Sequence, residues 1–390
     1  MSSPDSQLLD PLGMTLDQFC NAAAGLGRGP HQALHAYRRV FRHNLPASTG
    51  GRVWARANPG PIVHTLEEQT PEGPTVKFLQ QVGGVTAGAL STRPGFQALT
   101  VESVLIPMIG RLGKRSYTLC LSSQVGCAMG CTFCETAQMG LIRSLTPAEI
   151  VGQWFAATHL LDHAEARDIR NLVFMGMGEP MDNLDNVLQA IRVLCDANGP
   201  ALGASNITIS TVGRIDGIAR LSAFARQPGF HRLGLAISIN APNDQIRSQI
   251  MPINRSSSMG DLRDALLAYP MRSGGKFCFE YVLIPGVNDA PEHARQLADY
   301  LAPFGKWTKD TLPLGVLNLI PYNPRHNSPW PAPTEESVEF FLTQLVELGV
   351  YAKRRRTKGR QMMGACGQLG ARHIRSRRVV EPTSGGAPIL

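Results

Sequence analysis

Cys127, Cys131 and Cys134 stand in one short run, GCAMGCTFCE at 126–135. Any fold of this chain must therefore gather three thiols at the end of the apolar segment 117–121, which reads as a strand. Three thiolates can hold three irons of a [4Fe–4S] cluster, whereas an electron-transfer cluster takes a fourth cysteine. The iron left without a protein ligand keeps an open coordination position, which suits catalysis on a bound small molecule. Phe133, beside the last of the three, would shield such a cluster from water. Structural zinc draws on two separated Cys or His pairs, and no partner pair follows downstream. Unrelated buried cysteines rarely crowd so tightly. Cys120, seven residues earlier, is a possible fourth ligand on spacing alone.

From residue 117 onward strands and helices alternate. Candidate strands cover 117–122, 171–175, 207–211, 233–239, 277–284 and 316–320, with helical stretches between them such as 147–161 and 184–195. Thr146 reads as an N-cap, Pro147 as the first helical residue and Glu149 as the closing member of a capping box. Such alternation implies a parallel sheet with right-handed crossovers. Six units are too few for a closed eight-fold barrel, so the expected fold is α/β, an open, partial (β/α)6 barrel. Before it, residues 14–44 read as helical from Thr15, and strand-like pieces follow near 76–82 and 98–106. The domain reading is a small accessory domain at 1–90, a core at 91–350, a basic segment at 351–378 and a disordered tail at 379–390.

In parallel α/β folds ligands collect at the carboxyl ends of strands. The cysteine run follows the first strand, and GMGEP at 176–180 follows the second. There Gly178 lets backbone approach a ligand closely, and Glu179 offers a carboxylate to an ammonium group. Ser210 closes the third strand, Ser238, Ile239 and Asn240 the fourth, and Asn323 follows the sixth.

At 390 residues with 43% hydrophobic and 17% charged residues, the chain supports a full core plus a smaller domain. No apolar run reaches the roughly eighteen residues of a membrane span, and the start, MSSPDSQLLD, does not read as a signal peptide. Eight cysteines without disulfide-framework spacing point to a reducing cytoplasm. The formal charge is +8, concentrated at Lys353–Arg356, Lys358 and Arg360, at Arg372–Arg378, and near Arg38, Arg39 and Arg42. Such patches fit a polyphosphate partner or a plain solvated surface.

The chain resembles the radical S-adenosylmethionine (SAM) RNA adenine methyltransferases, the RlmN/Cfr family. The resemblance is carried by VESVLIP at 101–107, CLSSQVGCAMGCTFC at 120–134, LTPAEIVGQ at 145–153, GMGEP at 176–180, APND at 241–244, NLIPYNP at 318–324 and ACGQL at 365–369. It implies a radical-SAM partial barrel carrying one [4Fe–4S] cluster on Cys127, Cys131 and Cys134, and two SAM molecules per turnover. It also implies methylation of an adenine ring carbon, carbon 2 or carbon 8, in ribosomal or transfer RNA. In that chemistry Cys366 carries the methyl group as S-methylcysteine. Cys120 is the resolving thiol that forms a transient disulfide with Cys366, and Glu102 is the general base. Gly178, Glu179, Ser210, Ser238, Ile239, Asn240 and Asn323 would hold SAM. A flavodoxin or ferredoxin would donate electrons to a cytoplasmic monomer.

Two departures stand out. The family usually has His where this chain has Asn240. It also shows acidic residues where this chain has Arg360, Gln361, Met362 and Met363, just ahead of Cys366. The competing expectations are a radical-SAM enzyme acting on another substrate without the methyl shuttle, and a non-enzymatic iron–sulfur protein with Cys120 as fourth ligand. Cys366 separates the first of these from the leading reading, because only a shuttle needs that thiol.

Overall fold

The computed structural model describes residues 8–83, 99–110, 113–161, 168–272, 275–305, 313–355, 358–359 and 361–370. Two short helices come first, α1 (Leu16–Ala24) and α2 (Pro30–His43). The continuous helix expected over 14–44 is broken between them. Gly25 caps α1, Gly27 takes φ 70°, and Pro30 begins α2, a glycine–proline sequence that ends one helix and starts another. Strands β1 (Ala47–Thr49) and β2 (Arg52–Ala55) form a small antiparallel pair.

The main sheet holds ten strands. It begins with β3 (Ile62–Thr70), β4 (Gly73–Gln81), β5 (Thr100–Ile109) and β6 (Arg115–Cys120), each antiparallel to the one before. The hairpin β7 (Gln124–Gly126) and β8 (Leu141–Ser144) stands outside it, spanning the cysteine loop. Then β9 (Ile169–Phe174), β10 (Ile207–Thr211), β11 (Gly234–Ser238), β12 (Phe277–Leu283), β13 (Gly315–Pro321) and β14 (Ala352–Arg354) follow in spatial order, all parallel to β6. The helices of the crossovers are α3 (Pro147–His159), α4 (Leu184–Cys195), α5 (Ile215–Ala225), α6 (Asp244–Ile250), α7 (Met259–Leu267), α8 (Pro291–Leu301) and α9 (Glu335–Glu347). The six parallel strands read from the sequence are present, and β14 adds a seventh. Among the described residues the edges are β14 and β3, so the barrel they form is open.

The expected capping box on α3 forms: Thr146 Oγ1 accepts from Glu149 N–H at 3.2 Å, and Glu149 accepts from Thr146 N–H at 2.9 Å. One buried apolar cluster runs through the sheet and its helices and takes in Phe19, Tyr37, Phe41 and Trp54 from the N-terminal part. Tyr37 and Phe41 pack at 4.7 Å between ring centres, and Phe41 meets Trp154 and Phe155 of α3. The N-terminal helices are therefore seated on the outer layer of the barrel by aromatic burial, the strongest apolar contribution per side chain. The boundary read near residue 90, the tail 379–390 and the basic residues Arg372–Arg378 lie outside the described residues.

Candidate active site

The cysteine loop, residues 127–140, is held at its base by the β7–β8 hairpin. Gly126 closes that base with φ 78°, and a Cβ there would lie 1.8 Å from the Gly140 carbonyl oxygen, so only glycine fits. Cys127 N–H donates to that same carbonyl at 3.0 Å. Farther along, Thr132 N–H donates to Ile250 O at the end of α6, and Arg325 Nε donates to Thr132 O at 2.8 Å. Phe133 and Cys131 pack with Ile250, Met251, Ile284 and Tyr322 in a second apolar cluster, separate from the main core. The loop is thus tied to the chain that follows β11, β12 and β13.

Cys127, Cys131 and Cys134 line one face of a cavity of about 1020 Å³ at the carboxyl ends of the parallel strands. Burial raises the pKa of all three thiols, and for Cys131 the neighbouring Cys134 and Cys127 raise it further. A positive charge at these thiols, such as a bound metal body supplies, would favour their ionised form. Among the described residues no three His, Cys, Asp or Glu side chains converge tightly enough to hold one ion. The three thiols instead face one cavity and feel one another's charge, and this donor set fits a body larger than a single ion, as a [4Fe–4S] cluster is.

The turn after β9 lines the same cavity as the thiols. A Cβ on Gly178, at φ 97°, would come within 2.5 Å of the Gln124 side chain. Gln124 Oε1 accepts from Glu179 N–H at 2.9 Å. The buried Glu179 carboxylate accepts from Met181 N–H at 3.0 Å and Val212 N–H at 2.9 Å. Its pKa is nevertheless raised to about 7, because burial outweighs those two bonds. A cationic ligand group at this carboxylate would supply the missing compensation.

Ser210, Ser238 and Asn240 complete the same cavity. Asn240 sits at φ 52°, a left-handed conformation that asparagine tolerates well. Its Oδ1 accepts from Val282 N–H at 3.0 Å, and its carbonyl accepts from Asn288 Nδ2 at 2.8 Å. Ile239 is buried in the main core, and its carbonyl accepts from Arg247 Nε. It therefore does not line the cavity, unlike Ser238 and Asn240 on either side of it. Asn323 does not line this cavity. It lines a second, larger cleft of about 1790 Å³, together with Asn171, Asn318, Lys353 and Lys358.

Cys366 lines both spaces. It shares the dividing wall with Met175, Glu280, Ile320 and Arg355. Cys120 lies behind that wall at the end of β6, 7% exposed, and its pKa is pushed up to about 12, first by burial and then by Cys366. Proximity to Cys366 rather than to the three-thiol face separates Cys120 from the fourth-ligand alternative. All eight cysteines are free thiols in this structure. Glu102 lines neither space. It is buried in an ion pair with Lys77, Nζ to Oε2 2.9 Å.

The search by sequence missed Lys77, Gln124, Arg247, Glu280 and the placement of Arg355. Arg247 is 1% exposed and donates to the carbonyls of Val212, Ser238 and Ile239, knitting the ends of β10 and β11 together beside the cavity. Its signal was a lone arginine in APNDQIR. Arg355 was read with its neighbours as a surface patch, yet it faces the cavities, pairing with Glu280 at 3.6 Å. Arg354 pairs with Glu335 and Glu339 of α9. The patch is therefore partly internal wiring.

With this geometry in view, residues 121–298 match the model of the Radical SAM superfamily. The chain is 43% identical to a probable dual-specificity RNA methyltransferase RlmN 1 of Protochlamydia amoebophila, over 94% of this chain and 95% of that one. It is 36% identical, over 94% and 95%, to a dual-specificity RNA methyltransferase RlmN of Nitratidesulfovibrio vulgaris. The chain belongs to the RlmN family of radical SAM methyltransferases. A crystal structure of a radical SAM methyltransferase from Sphaerobacter thermophilus superimposes with a TM-score of 0.77 at 33% identity, covering 94% of this chain and 99% of that one. Membership makes this protein a SAM-dependent enzyme with a [4Fe–4S] cluster. No helix among the described residues is long and apolar enough to cross a membrane.

Proposed function

We propose that this RlmN-family enzyme methylates a ring carbon of adenine in ribosomal or transfer RNA, with Cys366 as the methyl carrier. The observation that supports this most is the place of Cys366 on the wall shared by the thiol-lined cavity and the larger cleft. A carrier must receive a group on one side and deliver it on the other, and few side chains of the fold meet both spaces.

Cys127, Cys131 and Cys134 hold the cluster, while Gly178 and Glu179 take the amino-acid end of SAM, with Ser210, Ser238 and Asn240 around the remainder. When bound, the cluster and SAM supply the methyl group and the one-electron chemistry that ordinary displacement on an electrophilic ring carbon lacks. Cys366 Sγ accepts the methyl: a new S–C bond forms as the sulfonium S–C bond breaks. Arg355 lines the same two spaces as Cys366 and places a cation beside the reacting sulfur. Once the carrier carbon is joined to the base, the Cys120 thiolate attacks Cys366 Sγ: an S–S bond forms as the S–C bond to the product breaks, and the departing carbon keeps that electron pair and takes up a proton to become the methyl group. The cleft, lined among others by Lys353, Lys358, Asn171, Asn206 and Asn318, suits an unstacked base and its phosphates. Asn323 then acts on the nucleotide side, and residues 1–90 add RNA contacts. A flavodoxin or ferredoxin serves as electron donor, and the chain acts as a cytoplasmic monomer.

The test is peptide mass spectrometry of protein isolated from cells and of protein reconstituted anaerobically with SAM. S-methylation of Cys366 is expected. An unmodified Cys366 under both conditions would discard the carrier reading in favour of radical SAM chemistry without a methyl shuttle.

A further inference from the structure

The loop that bears Cys366 has little regular structure of its own. Among its backbone bonds are Gly364 N–H to Gly359 O and Gln368 N–H to Ala365 O, and Met363 takes φ 52°. Such a loop is mobile unless something external fixes it. One side is fastened to the cysteine loop, where Glu135 N–H donates to Gly367 O at 2.7 Å and Thr136 Oγ1 donates to Leu369 O at 2.5 Å.

The other side is fastened to the antiparallel strands. Lys77 lies opposite Val104, and Glu102 opposite Leu79, across the β4–β5 ladder. The two long side chains are therefore diagonal neighbours on one face, within reach of each other. Their side chains are 6% and 3% exposed. Lys77 Nζ donates to Met363 O at 2.9 Å and Met362 O at 3.4 Å and meets Glu102 Oε2 at 2.9 Å. Three donors thus find three acceptors, which is all an ammonium group can make. Glu102 Oε2 in turn accepts from Gly370 N–H at 3.1 Å. The pair grips the loop three and four residues before Cys366, at Met363 and Met362, and four residues after it, at Gly370.

We propose that Lys77 and Glu102 form a buried clamp that fixes the Cys366 loop, making both of them positioning residues for methyl transfer. The inference rests on the reading of Cys366 as methyl carrier for its functional consequence, but the clamp itself stands on the distances above. A buried ion pair gains little net stability over an apolar pair of similar volume. Its use here is to satisfy the loop carbonyls and the Gly370 N–H in one register.

The experiment compares wild type, Lys77→Met, Glu102→Gln and the double variant Lys77→Met/Glu102→Leu, which leaves no orphaned charge if a single variant fails to fold. Hydrogen exchange is followed by peptide, and the rate at which iodoacetamide alkylates the unmethylated fraction of Cys366, resolved by mass, is measured on the full chain. Exchange in 361–370 should rise by roughly tenfold or more in Lys77→Met and in the double variant, with β9–β13 unchanged. Alkylation of Cys366 should accelerate with it. Unchanged exchange and alkylation in the folded double variant would overturn the clamp. Lost turnover in Glu102→Gln with wild-type loop exchange would return Glu102 to proton transfer and overturn its assignment here. A wild-type Cys366 that never carries methyl, with the exchange response intact, would remove the carrier reading and leave the clamp standing.

Discussion

The Arg355 guanidinium lies 3.6 Å from the Glu280 carboxylate, and its pKa is raised by nearby Cys366 and by Glu280. Both residues stand on the wall between the thiol-lined cavity and the larger cleft. One half-buried cation thus lies near the proposed methyl carrier and the proposed resolving thiol together.

Arg355→Gln should therefore slow methylation of Cys366. Loss of a contact to a charged group, about 1.5–3 kcal/mol, corresponds to roughly tenfold to hundredfold in rate. Single-turnover labelling of the Cys366 peptide measures this, and Arg355→Lys should keep part of the rate. Wild-type labelling in Arg355→Gln would show that the guanidinium serves packing alone.

Cys120 makes a pH prediction. Burial, then Cys366, raises its pKa to about 12, so at neutral pH the thiol is protonated and its thiolate fraction grows about tenfold per pH unit. Release of RNA from Cys366 should accelerate from pH 7 to pH 9, and Cys120→Ala should leave the RNA attached. Quenched samples on denaturing gels read the adduct directly. Equal release at both pH values would mean that Cys120 is not the attacking thiol.

Gly126→Ala tests the base of the cysteine loop. The new Cβ meets the Gly140 carbonyl at 1.8 Å with φ 78°, so the hairpin must open. A strained backbone alone costs about 1–3 kcal/mol, and the clash adds to it. Gly286→Ala, at φ 71° with nothing within 4 Å, carries the strain without the clash. Iron content per chain should fall in the first variant and hold in the second. Full iron loading of Gly126→Ala would show that the loop tolerates an open hairpin.

Asp10 predicts how stability responds to acid. Burial raises its pKa to about 6, against partial relief from the Leu12 and Asn58 N–H groups. The native state then binds more protons than the unfolded chain between about pH 4 and 6, so this group's contribution to stability falls as pH rises through that window. Asp10→Asn keeps an acceptor for Leu12 N–H, now at 3.0 Å, and removes the charge. At pH 7 it should stabilise the fold by up to about 3 kcal/mol, with no gain below pH 4. Urea unfolding across pH measures the difference, and an equal gain at every pH would contradict the assignment.

Local signals carried far in this chain. The three-thiol run, GMGEP and the capping box at Thr146 each lie within a few residues of sequence and act through local backbone geometry, so their types and spacing sufficed to place them at strand and helix ends. Asn323 and Glu102 show where that stops. Both sit in recognisable motifs, yet one opens onto the larger cleft and the other turns into the sheet toward Lys77.

By itself, then, the sequence determined an α/β chain with a cluster-type thiol loop at the carboxyl end of its first parallel strand. Tertiary structure alone decided that Arg355 faces inward, that Cys366 divides two spaces, and that Lys77 reaches carbonyls 285 and 286 residues away. Periodicity and spacing report on neighbours along the chain. Contacts made across a ten-stranded sheet depend on which strands become adjacent, and no local pattern encodes that.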